Sequence, residues 1–192
     1  VVDWFLSHPN IGGVMSYHTQ GGVILRPFAS KPDTEFPPGD LQLHEILGAL
    51  GTAETGYPLI SVYKDFTPPG ISVRGGMLMD FTYEALGIPT FTAEIWNLYR
   101  EIGIEEVPFY NWVPLSDETM VKVLQWVDAR VPGGFMPWQP FDHPQLGPVE
   151  IGGWNRVFVF RNPPRSLLET SARQHTRFVL RHAATLPRIQ ID

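Results

Sequence analysis

The nine residues IPTFTAEIW, 88–96, constrain this chain more than any other stretch. Phe91 and Ala93 alternate with Thr90, Thr92 and Glu94, the two-residue period of a strand whose successive side chains point to opposite faces. A strand this apolar lies inside a sheet, and this one carries a carboxylate near its carboxyl end. Burying an unpaired carboxylate is costly, so an acid there needs a partner or a task. In open α/β sheets the chemistry collects at the carboxyl ends of strands. Glu94 is therefore the first candidate for acid–base work.

Other segments supply neighbours for that strand. IGGVMSYHTQ, 11–20, has the glycine, β-branched and aromatic mix of a buried strand, and GGVILRPF, 21–28, is a short apolar run closed by proline. This places His18 at a strand's end. LISVY, 59–63, reads as a third strand. Between them KPDTEFPPGD is a proline-rich loop, and Asp40 is placed to cap a helix through LQLHEILGAL, where Leu41, Ile46, Leu47 and Leu50 share a face. The segment KDFTPPGISVRGG, 64–76, reads as a loop that covers a cleft, and GGMLMDFTYEALG as a helix ended by Gly87.

The opening VVDWFLSHPN has Val1, Val2, Phe5 and Leu6 on one helical face, and we expect the chain to begin in mid-fold. From about Val107 the texture turns aromatic and proline-rich around one helix, 116–130, with Ser116 as its N-cap. FMPWQPFDHPQLG then reads as a loop, EIGGWNRVFVF as a strand pair, and PPRSLLETSARQHTRFVLRHAATL as a helix with proline at its entrance. The expected organisation is an α/β domain over 1–106, an appended, mostly helical region over 107–185, and a linker or further strand over 186–192.

Composition excludes several functions. With 43% hydrophobic residues among 192, the chain is long enough to bury one substantial core. A net charge of -6 without a basic stripe argues against nucleic acid as a partner, and no apolar run is long enough for a membrane helix. The absence of cysteine removes disulfides, thiolate ligands and a cysteine nucleophile, while leaving the compartment open.

His18 and Glu94, both at predicted strand ends, form the best acid–base pair in the chain. Their surroundings carry a family resemblance. SYHTQGGVILRPF resembles the third-ligand segment of the M14 zinc carboxypeptidases, and RGGMLMDFTYEALGIPTFTAEIW resembles their segment of paired glycines, an acid–aromatic pair, a tyrosine, a glycine and a strand ending in the catalytic glutamate. Order and separation both fit, over residues 1–100 or so. The resemblance implies the C-terminal half of a mixed-sheet zinc-carboxypeptidase domain. It also implies hydrolysis of a C-terminal peptide bond by a water activated on Zn²⁺, with His18 as a zinc ligand and Glu94 as general base. The substrate would be a peptide or small amide, with Met79, Arg74 and Tyr63 as candidate contacts. Met79 hints at an apolar substrate side chain and Arg74 at an acidic one.

The departures are equally specific. A catalytic zinc takes three protein ligands, and the HxxE motif that supplies two of them in the family does not occur here. The expected partner is therefore a missing N-terminal half of the same protein, which would also bring the family's substrate-binding arginines. Where the family has a mobile tyrosine this chain has Gly70, Ile71, Ser72 and Val73, with Tyr57 and Tyr63 the nearest substitutes. Two alternatives stand beside this reading: a related amidohydrolase acting on acylated amino acids or cell-wall peptides, and a catalytically dead binding or scaffold module.

Other features read as structural. His175 and His182 share a helical face two turns apart, too far to chelate one ion directly, and are expected on a solvated face. His143 reads as a loop residue. Trp112, Trp126, Trp138 and Trp154 read as packing of a small subdomain in preference to a carbohydrate surface. Ser16 and Ser61 stand in no nucleophile-elbow pattern.

Overall fold

The computed structural model describes residues 1–67, 73–104, 115–155 and 159–186. The chain divides into two compact units, residues 1–95 with 170–192, and residues 96–169. The positions 107–114 that open the expected appended region, Trp112 among them, lie outside the described residues, as do 68–72 of the covering loop and 187–192 at the end.

The first unit begins with a short helix α1 (Val2–Leu6), then strands β1 (Val14–Thr19) and β2 (Val23–Arg26). Helix α2 (Pro38–Thr55) leads to β3 (Leu59–Ser61). Proline at its first turn wastes no backbone donor there, and Gly56 ends it in the left-handed region, φ 69°, with its N–H on Thr52 O at 2.8 Å. The expected strand 59–63 stops at Ser61. Its N–H donates to Asp65 Oδ2 and its hydroxyl accepts from Lys64 N, at 3.2 and 3.3 Å, so Val62–Phe66 winds into a π-helical turn. Helix α3 (Leu78–Asp80) runs into a second π-helical turn, Phe81–Ala85, before β4 (Thr90–Ile95).

These strands form one mixed sheet in the order β1-β4-β2-β3. β1 lies parallel to β4, β4 antiparallel to β2, and β2 parallel to β3. The alternation along β4 divides the sheet's environment. Phe91 joins Ile24, Leu47 and Phe178 in a buried cluster, with Met15, Leu50 and Leu59 packed on it. The opposite face carries Thr90, whose hydroxyl is 2.6 Å from that of Thr82 in the second π-helical turn. Helix α2 reaches the sheet through glycine: a Cβ on Gly48 would lie 2.5 Å from Leu59 Cδ1, and one on Gly51 2.6 Å from Ile24 Cδ1.

Phe178 comes from the last helix, α6 (Arg165–Thr185), and here the sequence reading of the histidines is corrected. His175 and His182 do share a face, but it is the buried one, each being 4% exposed. His182 stacks on Phe178, and His175 meets Tyr17 and Tyr57 edge-on. Burial lowers the pKa of both imidazoles, so neutral rings fill the space apolar side chains would otherwise take.

The second unit contains helix α4 (Leu98–Ile102), helix α5 (Asp117–Arg130) and, after them in the chain, a hairpin of β5 (Phe135–His143) with β6 (Gly147–Trp154). Ser116 caps α5 as expected, accepting from Thr119 N at 3.2 Å. The segment FMPWQPFDHPQLG, expected to be a loop, forms β5 and the turn. Its prolines are tolerated because a two-stranded ribbon leaves positions where no ladder N–H is needed, and the register slips between Met136 and Gln139. Trp138 on this hairpin is 61% exposed, whereas the Trp154 ring lies 6.2 Å from that of buried Phe160.

Candidate active site

Glu94 stands on the second-last residue of β4, with a different strand on either side. Its register partner in β1 is His18, and in β2 it is Val23. Register partners on neighbouring strands share a face and have Cα atoms about 5 Å apart. The two residues singled out from sequence are therefore side by side, on the face that also carries Thr92 and Ser16. β1 is an edge strand of the described sheet, and His18 is exposed there.

The chain between the two partners folds over the acid. After β1 it passes the end of β4 and re-enters the sheet on the far side as β2, with Gly22 N donating to Glu94 O at 2.7 Å. A Cβ on Gly21 would lie 3.0 Å from Glu94 Cβ, so glycine is what lets this crossover close down on the strand. The paired glycines 21–22 are the sequence signal for this contact, which the reading of 21–28 as a short apolar run leaves unused. Beyond the acid, Trp96 takes φ 73°, a left-handed conformation unfavourable for a bulky residue, and β4 ends.

Glu94 is 8% exposed. Its side-chain oxygens accept no hydrogen bond and join no ion pair among the described residues. Burial pushes its pKa from 4.5 up to about 7, against the opposing pull of the Arg74 guanidinium. Near neutral pH such a carboxyl group both takes and gives a proton, the property a general base and acid requires. Arg74 itself is half-buried, with its guanidinium 5.0 Å from the centroid of the Phe66 ring, a cation–π arrangement that holds the charge in place.

The other candidates are placed less directly. Met79 is fully buried in α3 and presents no surface. Tyr63 lies in the first π-helical turn, 36% exposed, its N–H on Phe28 O at 3.0 Å. Asp80, which sequence reasoning treated only as part of the resemblance, anchors the chain beyond β2: its carboxylate accepts from Ala29 N at 3.0 and 3.2 Å. His143 is partly buried and caps the hairpin turn, its Nδ1 accepting from Gln145 N and Leu146 N at 3.2 Å each.

Among the described residues, no three His, Asp or Glu side chains come together to hold a metal ion. The chain offers one accessible imidazole beside one buried carboxyl group, which is less than a catalytic zinc needs. No helix among the described residues is long and apolar enough to cross a membrane. No family model matches the chain, and no curated protein matches it.

Proposed function

We propose that this chain forms part of a zinc-dependent metallocarboxypeptidase of M14 type, in which His18 is one metal ligand and Glu94 the general base. The observation that carries the reading is Glu94 itself: a buried carboxyl group without a hydrogen-bond partner among the described residues, its pKa pushed by burial up to about 7, next to an exposed imidazole on the adjacent parallel strand. A structural acid at such a place is expected to have a donor. An ion held there would supply a water of lowered pKa and a polarised scissile carbonyl. With such an ion in place, Glu94 would be the group to accept a proton at a carboxylate oxygen and to return it to the leaving amine. Arg74 offers its charge to an anionic group of the substrate, whereas Tyr63, whose N–H is on Phe28 O, lies towards the other end of the sheet and is not proposed as a contact.

The remaining ligands would come from outside the described residues, so the test belongs to the full-length protein. Zinc-loaded, the Glu94→Gln variant should keep its metal and lose most peptidase turnover, by about 100-fold or more. His18→Ala should lose both metal and turnover. Near-normal turnover in Glu94→Gln would remove Glu94 from the mechanism. The lack of a three-ligand group among the described residues favours one second reading, a metal-free binding module. Metal analysis separates the two, because only the enzyme holds stoichiometric zinc.

A further inference from the structure

Three imidazoles line the packing of α2 and α6 against the Phe91 side of the sheet. His44 of α2 is fully buried, and His175 and His182 of α6 nearly so. The rings of His44 and His182 each lie 5.5 Å from that of Phe91, and His182 also stacks on Phe178. His175 meets Tyr17 of β1 and Tyr57, and its carbonyl accepts from the Tyr17 hydroxyl at 3.4 Å. The buried positions of α6 are His175, Phe178 and His182. Most of the stripe that docks this helix is therefore titratable.

A buried polar group with a purely structural task is expected to be hydrogen-bonded. These mostly are not. His44 Nε2, both nitrogens of His175 and His182 Nε2 are buried without a partner among the described residues. His44 Nδ1 donates to Asp40 O at 2.8 Å, and His182 Nε2 presses on Gly13, where a Cβ would lie 3.1 Å from it. Leucine or phenylalanine would fill the same space without an unsatisfied nitrogen. What imidazole adds is a charge that switches between pH 5 and 8.

The surroundings oppose that charge. A protonated ring carries a proton on both nitrogens, and a buried charge with no acceptor beside it is strongly unfavourable. Burial alone lowers the pKa of His175, and burial together with His44 lowers that of His182. No carboxylate acts on either ring among the described residues. His44 faces Phe36, Tyr83 and Phe91; burial lowers its pKa, the bond to Asp40 O opposes this, and Arg26 of β2 adds to it. The Tyr83 hydroxyl is taken by Asp40 Oδ2. Glu54 of α2, which reaches α6, is committed to Arg177 and Arg181 at 3.1 and 2.5 Å.

We propose that His44, His175 and His182 form an acid-operated clasp: α6 stays docked on the sheet while the rings are neutral, and lifts away ahead of the rest of the fold once they are protonated. The lifted helix uncovers Tyr17 and Phe91, on the side of the sheet opposite His18 and Glu94, so the clasp stands whether or not the peptidase reading does. The sign follows from linkage. Released imidazoles titrate near 6.5 and docked ones lower, so docking is favoured above that value and weakens as pH falls through the docked values.

The test is hydrogen exchange of the whole protein, read by segment and corrected for the intrinsic pH dependence of exchange. Between pH 7 and pH 5 the protection of residues 170–185 should fall about 100-fold or more, since release takes up as many as three protons, while that of β2 and β4 falls less than about tenfold. His175→Leu combined with His182→Leu should remove most of this pH dependence. Glu54→Gln, which takes away the ion pairs and leaves the rings, should lower protection equally at both pH values. Where the double variant does not fold, an NMR titration of the histidine rings in the parent decides, because the rings should charge only over the range in which α6 opens. Protection lost equally from α6 and the strands, a double variant as acid-sensitive as the parent, a Glu54→Gln variant without pH dependence, or rings that charge while α6 stays protected would each overturn the proposal.

Discussion

Gly21 and Glu94 meet so closely that one added methyl group would fill the space between them: a Cβ on Gly21 would lie 3.0 Å from Glu94 Cβ and 3.3 Å from Val23 Cγ2. Both neighbours belong to sheet strands and cannot swing aside. Gly21→Ala is therefore expected to destabilise the fold by about 1–2 kcal/mol, the scale of overpacking at a tight contact, and to disturb the carboxyl group beneath it. Urea unfolding measures the first effect. A variant as stable as the parent would show that the crossover has room to lift.

The raised pKa of Glu94 makes a signed prediction. The unfolded glutamate titrates at 4.5 and the folded one at about 7, so between those values the folded protein binds more protons. The stability this contributes is fully present below pH 4.5 and is lost as pH rises through about 7, amounting to about 3 kcal/mol. The buried histidines work the other way, so the parent's pH profile alone mixes the two. The difference between Glu94→Gln and the parent isolates the acid. In urea unfolding the variant should match the parent near pH 4.5 and exceed it by about 2–3 kcal/mol at pH 8. A difference that does not change with pH would contradict the buried, protonated state.

Much of this site was legible because its strands obey a two-residue period. Thr90 to Glu94 announced both a strand and which residues share a face, and two sequence segments were enough to bring His18 to a strand's end. Register was not legible: that His18 stands opposite Glu94 rather than one residue off depends on pairing across a long stretch of chain. The histidines of α6 failed for a different reason. Spacing gave the shared face correctly, but imidazole is polar in name and can be buried neutral, while Leu168 and Leu180 of the same helix are 54% and 63% exposed. The hairpin 135–154 was hidden by its prolines, which weigh against a strand only inside a larger sheet.

His175 tests that lesson directly. Its Nδ1 and Nε2 are both buried without a hydrogen-bond partner among the described residues, and its ring meets Tyr17 and Tyr57 at 5.4 and 5.3 Å. Burial lowers its pKa, so its contribution to stability is present above the ordinary value of 6.5 and is lost as pH falls through the folded value. His175→Leu gives up two ring contacts but removes two unsatisfied nitrogens, and the second effect is larger. The variant should be about 1 kcal/mol more stable at pH 7 and gain further at pH 5, read from denaturant midpoints. A loss of stability at both pH values would mean the imidazole is satisfied.

Two glycines of α2 separate helix propensity from packing. In a helix alanine is better than glycine by about 1 kcal/mol, and both Gly39 and Gly51 lie in α2. A Cβ on Gly39 meets nothing within 4 Å, whereas one on Gly51 would lie 2.6 Å from Ile24 Cδ1 and 2.7 Å from Phe178 Cε1. Ile24 and Phe178 are fully buried, so neither side chain has space to retreat. Gly39→Ala should therefore stabilise by a few tenths to about 1 kcal/mol, while Gly51→Ala should destabilise by about 1–2 kcal/mol net, overpacking outweighing propensity. Thermal or urea unfolding of the two variants, side by side, decides it. The same sign for both would mean that α2 rests on the sheet less tightly than the contacts of Gly51 require.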